Sequence, residues 1–325
     1  MRSLRGILLL CTLAWICPAV TAVGAGEPPQ PPRAGQVDGA PLEAVDLRPR
    51  FEQWGLARRQ QGARVTCSAF TVAGALEFAV AQRQGRTPRL SVEFLNWAAN
   101  RTCGDSDDGG FFSDLWKGYA AHGICTEEAM PYQAKFDPGQ PPTADAFADA
   151  KTRLTFGLRL HWIKEWDVNT GLKDEHLAAI KRTLADGWPV CGGFRWPKQA
   201  QWENGVLQMC PSDAVYDGHS VLLAGYRDDA GQPGGGVLVF RNTAGDGRDG
   251  SMPYAYAQAY MNDAVWVDFE RRRVQRWMRA EPPLAMVLTC STVAMVVSPG
   301  NVVSRAPWAQ PSLTASSGDS PESSP

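Results

Sequence analysis

The strongest constraint on the fold of this chain is a change of hydrophobic pattern between its two halves. After Cys67, apolar residues recur at helical spacing as far as Val80, with no proline and a single glycine among them. Two further helices are predicted over Phe112 to Ala121 and Asp174 to Ala185, and a glycine follows each within two residues. The second half carries β-like runs at Val190–Phe194, Ser220–Arg227 and Val237–Arg241. This order predicts an α+β fold, with a helical lobe at about 45–150, a β-rich lobe at about 151–300 and a cleft between them.

The first 22 residues are predicted to be a secretory signal peptide. Arg2 and Arg5 precede an apolar run from Ile7 to Cys17, and small residues lead to a cleavage site after Ala22. A second apolar run, Ala285 to Val297, is too short to cross a bilayer. We therefore expect a soluble protein that is secreted or periplasmic, without stable insertion in a membrane.

Segments of biased composition flank the predicted domain. Residues 23–44 are rich in proline, glycine and alanine, which is typical of a linker or a short pro-segment. Residues 301–325 are rich in serine and proline and are predicted to be disordered. The predicted domain therefore covers residues 45–300.

Charge and histidine spacing exclude two classes of function. The formal net charge of -2 gives no basic surface for nucleic acid or an anionic membrane. His122, His161 and His176 show no paired metal-binding spacing, and HExxH and CxxC motifs are absent from the sequence. We expect these three histidines to be structural or exposed to solvent, and we expect no metal and no cofactor.

Cys67 is the candidate nucleophile. It stands directly before the first predicted helix, where the positive end of the helix dipole favours the reactive thiolate. Gln61 offers an amide donor that could face the same reacting atom. The alternative is that Cys67 is a buried structural cysteine and Gln61 a surface glutamine.

His219 and Asn242 are the candidate partners of this thiol. His219 opens one strand of a predicted antiparallel hairpin, and Asn242 follows the other. If Arg227 faces Val237, His219 faces Gly245, and a slip of two or three residues brings Asn242 beside the imidazole. Nucleophile, base and orienting side chain could then form a triad. The alternative for Asn242 is an ordinary turn residue.

The order of short motifs resembles the papain family of cysteine peptidases. His219 follows Cys67 by 152 residues and Asn242 follows it by 175, near the roughly 130–150 residues typical of that family. The matching segments are Val45-Asp46-Leu47-Arg48, Gln61-Gly62, Cys67-Ser68-Ala69-Phe70, Leu90-Ser91-Val92-Glu93-Phe94-Leu95, Asp108-Gly109-Gly110, Gly123-Ile124, Met130-Pro131-Tyr132, Asn204-Gly205-Val206-Leu207 and Asp217-Gly218-His219-Ser220-Val221.

The resemblance implies a two-lobe fold with a β-barrel-like second lobe, and a role for each matching residue. Cys67 would be the nucleophile, His219 the general acid and base, and Asn242 the residue that orients the imidazole. Gln61 would share the oxyanion hole with the Cys67 backbone N–H. A thiolate would be stabilised by an imidazolium. The implied protein is a monomeric endopeptidase acting on polypeptides.

The same resemblance assigns Gly109 and Gly110 to the substrate. Without side chains, they would let an extended peptide approach the backbone closely. The alternative is that the two glycines form only a turn. A cleft aromatic such as Trp202 could also shape a substrate pocket.

The cysteines that remain after the nucleophile suggest disulfides, because export makes disulfides permissible. We expect bridges Cys103–Cys125 and Cys210–Cys290. Cys191 lies in a predicted buried strand and is expected to be a free core thiol.

The chain departs from the family pattern at two places. Arg64 stands where the family has a half-cystine, and the segment from Asn242 to Gly250 has lost both family tryptophans, with Ala244 in the place of the first. One of those tryptophans shields the bond between the imidazole and the asparagine, so we expect that bond to be exposed and weaker. The rival functions are therefore a papain-fold protein that binds peptides or a partner without turnover, and an enzyme of amide-bond chemistry other than hydrolysis, such as transpeptidation.

Overall fold

The computed structural model describes residues 42–245 and 248–269. It contains seven α-helices and nine strands within those ranges, with one turn of 3-10 helix at Ser212–Ala214. The helices are α1 (Arg48–Gln53), α2 (Cys67–Gln84), α3 (Val92–Cys103), α4 (Phe112–His122), α5 (Ala144–Leu154), α6 (Asp174–Ala185) and α7 (Tyr254–Tyr260). The strands are β1 (Ala44–Asp46), β2 (Leu158–Lys164), β3 (Val190–Pro197), β4 (Trp202–Glu203), β5 (Val206–Leu207), β6 (Val215–Asp228), β7 (Gly236–Arg241), β8 (Gly250–Pro253) and β9 (Met261–Phe269).

Helix α2 is the central element of the helical half. Residues 67–73 and 75–81 are buried, so the helix is covered on every side and not on one face alone. Small residues such as Ala69 and Ala73 allow neighbours to approach on several faces. The helix ends at Gly85, which takes the left-handed conformation with φ 73°. The nucleophile candidate therefore begins the most enclosed helix of the core.

The second half is one mixed sheet with strand order β2-β9-β3-β6-β7-β8-β5-β4, and β1 pairs with the far end of β6. The α+β class and the order of a helical half before a β-rich half are as predicted. The sheet within the described residues is open, however, so the barrel-like closure expected for the second lobe is wrong. The strands β4 and β5 at one end of the sheet have only two residues each. They offer too few backbone hydrogen bonds to pair with β2 at the other end and close a barrel.

The hairpin that carries the two candidate partners has the predicted register. Arg227 pairs with Val237, and the ladder shifts by one residue at a bulge between Leu223 and Gly225. Pairing ends at Arg241, directly before Asn242. Helix α6 also has the predicted bounds, because Asp186 and Gly187 end it.

Several expectations concern residues outside the described ranges. The signal peptide, most of the 23–44 segment, residues 270–300 and the serine-rich tail lie there. In the described part of the chain, no helix is long and apolar enough to cross a membrane.

The expected disulfide Cys103–Cys125 does not form. Both cysteines are free; Cys103 is exposed at the end of α3, whereas Cys125 is fully buried. Cys210 forms no disulfide with any described residue, and Cys290, its expected partner, lies outside them. Cys191 is a free, fully buried core thiol, as expected.

Candidate active site

Cys67 is the first residue of α2 and lies at the junction of the helical half and the sheet. Its thiol donates a hydrogen bond to the Gly218 carbonyl oxygen at 3.8 Å. Gly218 directly precedes His219 in β6. The fold therefore brings the thiol to the strand that carries the imidazole.

His219 and Asn242 are in direct contact. The His219 Nε2 atom lies 2.9 Å from Asn242 Oδ1, which also accepts the Ala244 backbone N–H at 3.1 Å. Because an amide oxygen only accepts, Nε2 carries the hydrogen and Nδ1 keeps its lone pair. The ring is thus held in the tautomer that could receive a proton from a thiol.

Trp196 packs against the imidazole of this pair and was missed by the sequence reasoning. Its ring meets the His219 ring edge to face, with centroids 4.6 Å apart and planes at 71°. His219 is only 5% exposed and its bond to Asn242 is partly buried, so the bond is less exposed than expected. Trp196 supplies from β3 an aromatic contact to the imidazole, although the tryptophan expected after Asn242 is missing.

Burial acts against a charge on both reacting groups. Burial raises the pKa of the Cys67 thiol, and hydrogen bonds with Ser220 and Ser68 lower it by less. Burial also lowers the pKa of His219, against a smaller opposing effect of the bond to Asn242. The thiol is hydrogen-bonded to a carbonyl, and the thiolate–imidazolium pair expected from the sequence stays a prediction.

Gln61 lies beside the thiol segment with its amide already oriented. Its Nε2 donates to the Arg64 carbonyl oxygen at 2.7 Å, and its Oε1 accepts from the Thr243 hydroxyl at 2.9 Å. The Gln61 backbone N–H also donates to the Thr243 carbonyl. One amide hydrogen remains for a ligand, and Gln61 is buried, unlike a surface glutamine.

Gly109 and Gly110 pass close to the nucleophile segment. Gly109 has φ 107°, and a Cβ there would lie 2.5 Å from the Val65 carbonyl oxygen, so only glycine fits. The Gly110 N–H donates to the Ser68 hydroxyl at 3.2 Å. These glycines are therefore more than a turn, since they fix a strip of backbone against the start of α2.

His219 lines two cavities. One, of about 570 Å³, has the aromatic side chains of Trp196, Trp202 and Tyr216 in its wall, and Ala244 beside them. The other, of about 280 Å³, runs from Gly110 past Phe111 and Trp166 to Asp263. Burial raises the pKa of Asp263 to about 7.

The other three histidines have structural contacts, as expected. His161 binds Asp268 at 2.7 Å, His122 packs against Trp97, and His176 accepts the Lys173 N–H. Among the residues described, no group of histidine, cysteine and carboxylate side chains could hold a metal ion.

Comparison with known proteins identifies this architecture. The sequence profile described as papain family cysteine protease matches residues 43–247. An uncharacterized peptidase C1-like protein of Acanthamoeba polyphaga mimivirus is 24% identical over 226 residues, which are 65% of this chain and 69% of that protein.

Two solved structures share the papain-like fold with this chain. Xylellain, a cysteine protease from Xylella fastidiosa, matches with a TM-score of 0.55 and 24% identity over 71% of this chain and 88% of that chain. Digestive procathepsin L 3 from the larval midgut of Tenebrio molitor matches with a TM-score of 0.52 and 20% identity over 73% of each chain.

Proposed function

Because the chain belongs to the papain family of cysteine proteases, we propose that it is a secreted endopeptidase that hydrolyses peptide bonds through an acyl-enzyme thioester. Its substrates are polypeptides, and it acts as a monomer without a cofactor. The observation that carries the proposal is the bond between His219 and Asn242 beside the Cys67 thiol.

In the proposed cycle, Cys67 is the nucleophile and His219 the general acid and base. The His219 Nδ1 atom accepts the thiol proton as sulfur leaves the Gly218 carbonyl and attacks the carbonyl carbon of the scissile amide. The protonated ring then gives this proton to the departing amine, which leaves a thioester on Cys67. A water, losing its proton to Nδ1, hydrolyses the thioester, and the proton returns to sulfur as the acid product departs.

Gln61 and the start of α2 would stabilise the negative oxygen of the tetrahedral intermediates. The Cys67 backbone N–H belongs to the first turn of α2, where no helical carbonyl accepts the N–H groups. The free amide hydrogen of Gln61 supplies the second donor. Two preorganised donors in a buried site are the usual form of an oxyanion hole.

The two cavities support an endopeptidase over an enzyme that trims chain ends. His219 lines both, and their walls include exposed residues such as Phe111 and Tyr216. A polypeptide could therefore extend from the imidazole into either cavity. Cleavage of a long peptide blocked at both termini, followed by mass spectrometry, tests this directly; products only from unblocked ends would contradict it.

Covalent labelling tests the role of Cys67. We expect an epoxysuccinyl cysteine-protease probe to label the wild-type chain and the control Cys103→Ser, which removes an exposed free thiol. Cys67→Ser should abolish labelling and peptide cleavage together. A folded wild-type protein that the probe never labels would rule out the peptidase proposal.

One observation favours the second candidate, a peptide-binding protein without turnover. Burial raises the pKa of the Cys67 thiol, and the thiol donates to a carbonyl, so this arrangement does not favour the reactive thiolate. That candidate predicts peptide binding with no cleavage and no dependence on Cys67. Adding a free amine and weighing the products distinguishes hydrolysis from the third candidate, transpeptidation.

Secretion is proposed from the sequence of the first 22 residues. We expect the full chain to appear outside the cytoplasm in a fractionated culture, and a variant without residues 1–22 to stay inside. Equal distribution of the two would contradict secretion by this segment.

A further inference from the structure

Arg64 is a buried cation three residues before the nucleophile. Its side chain is 4% exposed and forms ion pairs with Glu93 at 2.5 Å and Asp108 at 2.8 Å. Its Nη1 also donates to the Gln133 carbonyl at 2.8 Å, and the guanidinium lies 4.4 Å from the centre of the Tyr132 ring. Burial lowers the pKa of Arg64, but the bonds to Asp108 and Glu93 outweigh it and the pKa is raised. Arg64 is therefore a permanent positive charge with a complete set of partners.

The contacts of Arg64 reach two separate parts of the active site. Its carbonyl oxygen accepts the amide of Gln61, which fixes the proposed oxyanion donor. Its guanidinium holds Asp108 through Nε and Nη2, and Asp108 directly precedes Gly109. Gly109 in turn packs against the carbonyl of Val65. One residue thus connects the oxyanion amide, the nucleophile segment and the glycine strip.

We propose that Arg64 is a positioning residue that holds the glycine strip and the Gln61 amide in register with Cys67. The inference rests on the proposed function, since it concerns how a peptide is aligned with the thiol. Arg64 stands where the resembled family has a half-cystine, so an ionic link replaces a covalent one at this position. A consequence is that the alignment survives reducing conditions, in which the Cys67 thiol is also kept reactive.

Paired variants test the proposal through substrate length. We expect Arg64→Gln to reduce kcat/KM for an extended peptide roughly 10-fold to 100-fold, because small misplacement of reacting groups has effects of this size. The kcat/KM for a short ester that does not reach the glycine strip should fall less. The ratio of the peptide kcat/KM to the ester kcat/KM therefore falls. Arg64→Lys keeps the charge without the forked geometry and should restore part of the ratio.

Arg153→Gln is the matched control. Arg153 is 11% exposed and pairs with Asp149 at 2.8 Å on α5, away from the cleft. We expect this variant to lose thermal stability while the ratio of peptide to ester activity stays at the wild-type value. An equal fall in the ratio for both arginine variants would overturn the proposal. If Arg64→Gln does not fold, Asp108→Asn removes one of the two ion pairs, and an unchanged ratio there would also overturn it.

Hydrogen–deuterium exchange keeps this inference separate from the proposed function. Arg64→Gln, or Asp108→Asn in its place, should speed exchange together in residues 61–68 and 107–111, whereas Arg153→Gln should leave both segments unchanged. This readout does not need activity, so a wild-type protein that cleaves nothing refutes the peptidase proposal alone. Exchange that rises in neither segment, or in only one, refutes the positioning role even in a fully active enzyme.

Discussion

Replacing Trp196 by phenylalanine tests whether its ring protects the bond between His219 and Asn242. Trp196 is 7% exposed and meets the imidazole at 4.6 Å. The smaller ring removes roughly 40 Å² of buried apolar surface, which at about 25 cal/mol per Å² lowers the free energy of unfolding by about 1 kcal/mol. Water that reaches the pair competes for a hydrogen bond with a net value of about 0.5–1.5 kcal/mol. If that stabilisation is lost in the transition state, kcat/KM falls about 2-fold to 13-fold.

Peptide hydrolysis at several pH values and thermal unfolding give the two readouts. Trp188→Phe is the control, because Trp188 is a partly buried tryptophan that packs against Trp266 with ring centroids 6.0 Å apart. We expect a similar loss of stability in both variants and a loss of kcat/KM only in Trp196→Phe. If Trp188→Phe loses as much activity, or Trp196→Phe loses none, the shielding argument is wrong.

Three further predictions follow from the site. Because burial raises the pKa of Cys67, alkylation of the resting protein by iodoacetamide should increase with pH through a midpoint above the roughly 8.5 of an ordinary cysteine; a lower midpoint in the stopped-flow rates would show a preformed thiolate. Gly109→Ala should lower the free energy of unfolding by roughly 1–3 kcal/mol, since its Cβ would strike the Val65 carbonyl at a left-handed φ; urea titration measures this, and an unchanged midpoint would contradict it. Trp202→Ala should change the preferred residues around the cleaved bond, read by mass spectrometry of a digested peptide library, and an identical cleavage profile would exclude Trp202 from substrate selection.

Helix ends and the register of the hairpin could be predicted, because short sequence patterns there agree with the contacts in the fold. The Gly187 stop fixes the end of α6, and the link between the two hairpin strands sets the pairing of Arg227 with Val237. That register places His219 opposite Gly245, so only a slip of two or three residues separates Asn242 from the imidazole.

Trp196 could not be found in the same way. Its position over the imidazole depends on a register shift between Phe194 and Trp196, where β3 pairs with β6. A bulge of this kind leaves no periodic signal in sequence, so the residue that replaces the missing family tryptophan is visible only in the fold. Strand β9 was missed for a related reason: Asn262 and Asp263 are buried polar residues that interrupt its apolar pattern.

The short strand β1 limits how far the N-terminal side of this protein can be shortened. Its three residues pair with β6, and the bonds continue upstream, where the Tyr226 hydroxyl donates to the Leu42 carbonyl and the Asp228 N–H donates to Glu43. A truncation that ends before Leu42 keeps the residues that form these bonds, whereas one that also removes Asp46 releases one border of the strand that carries His219. The boundary of the active protein is therefore set by the sheet, and N-terminal truncations in steps across 36–48 should show activity lost abruptly once these pairings are removed.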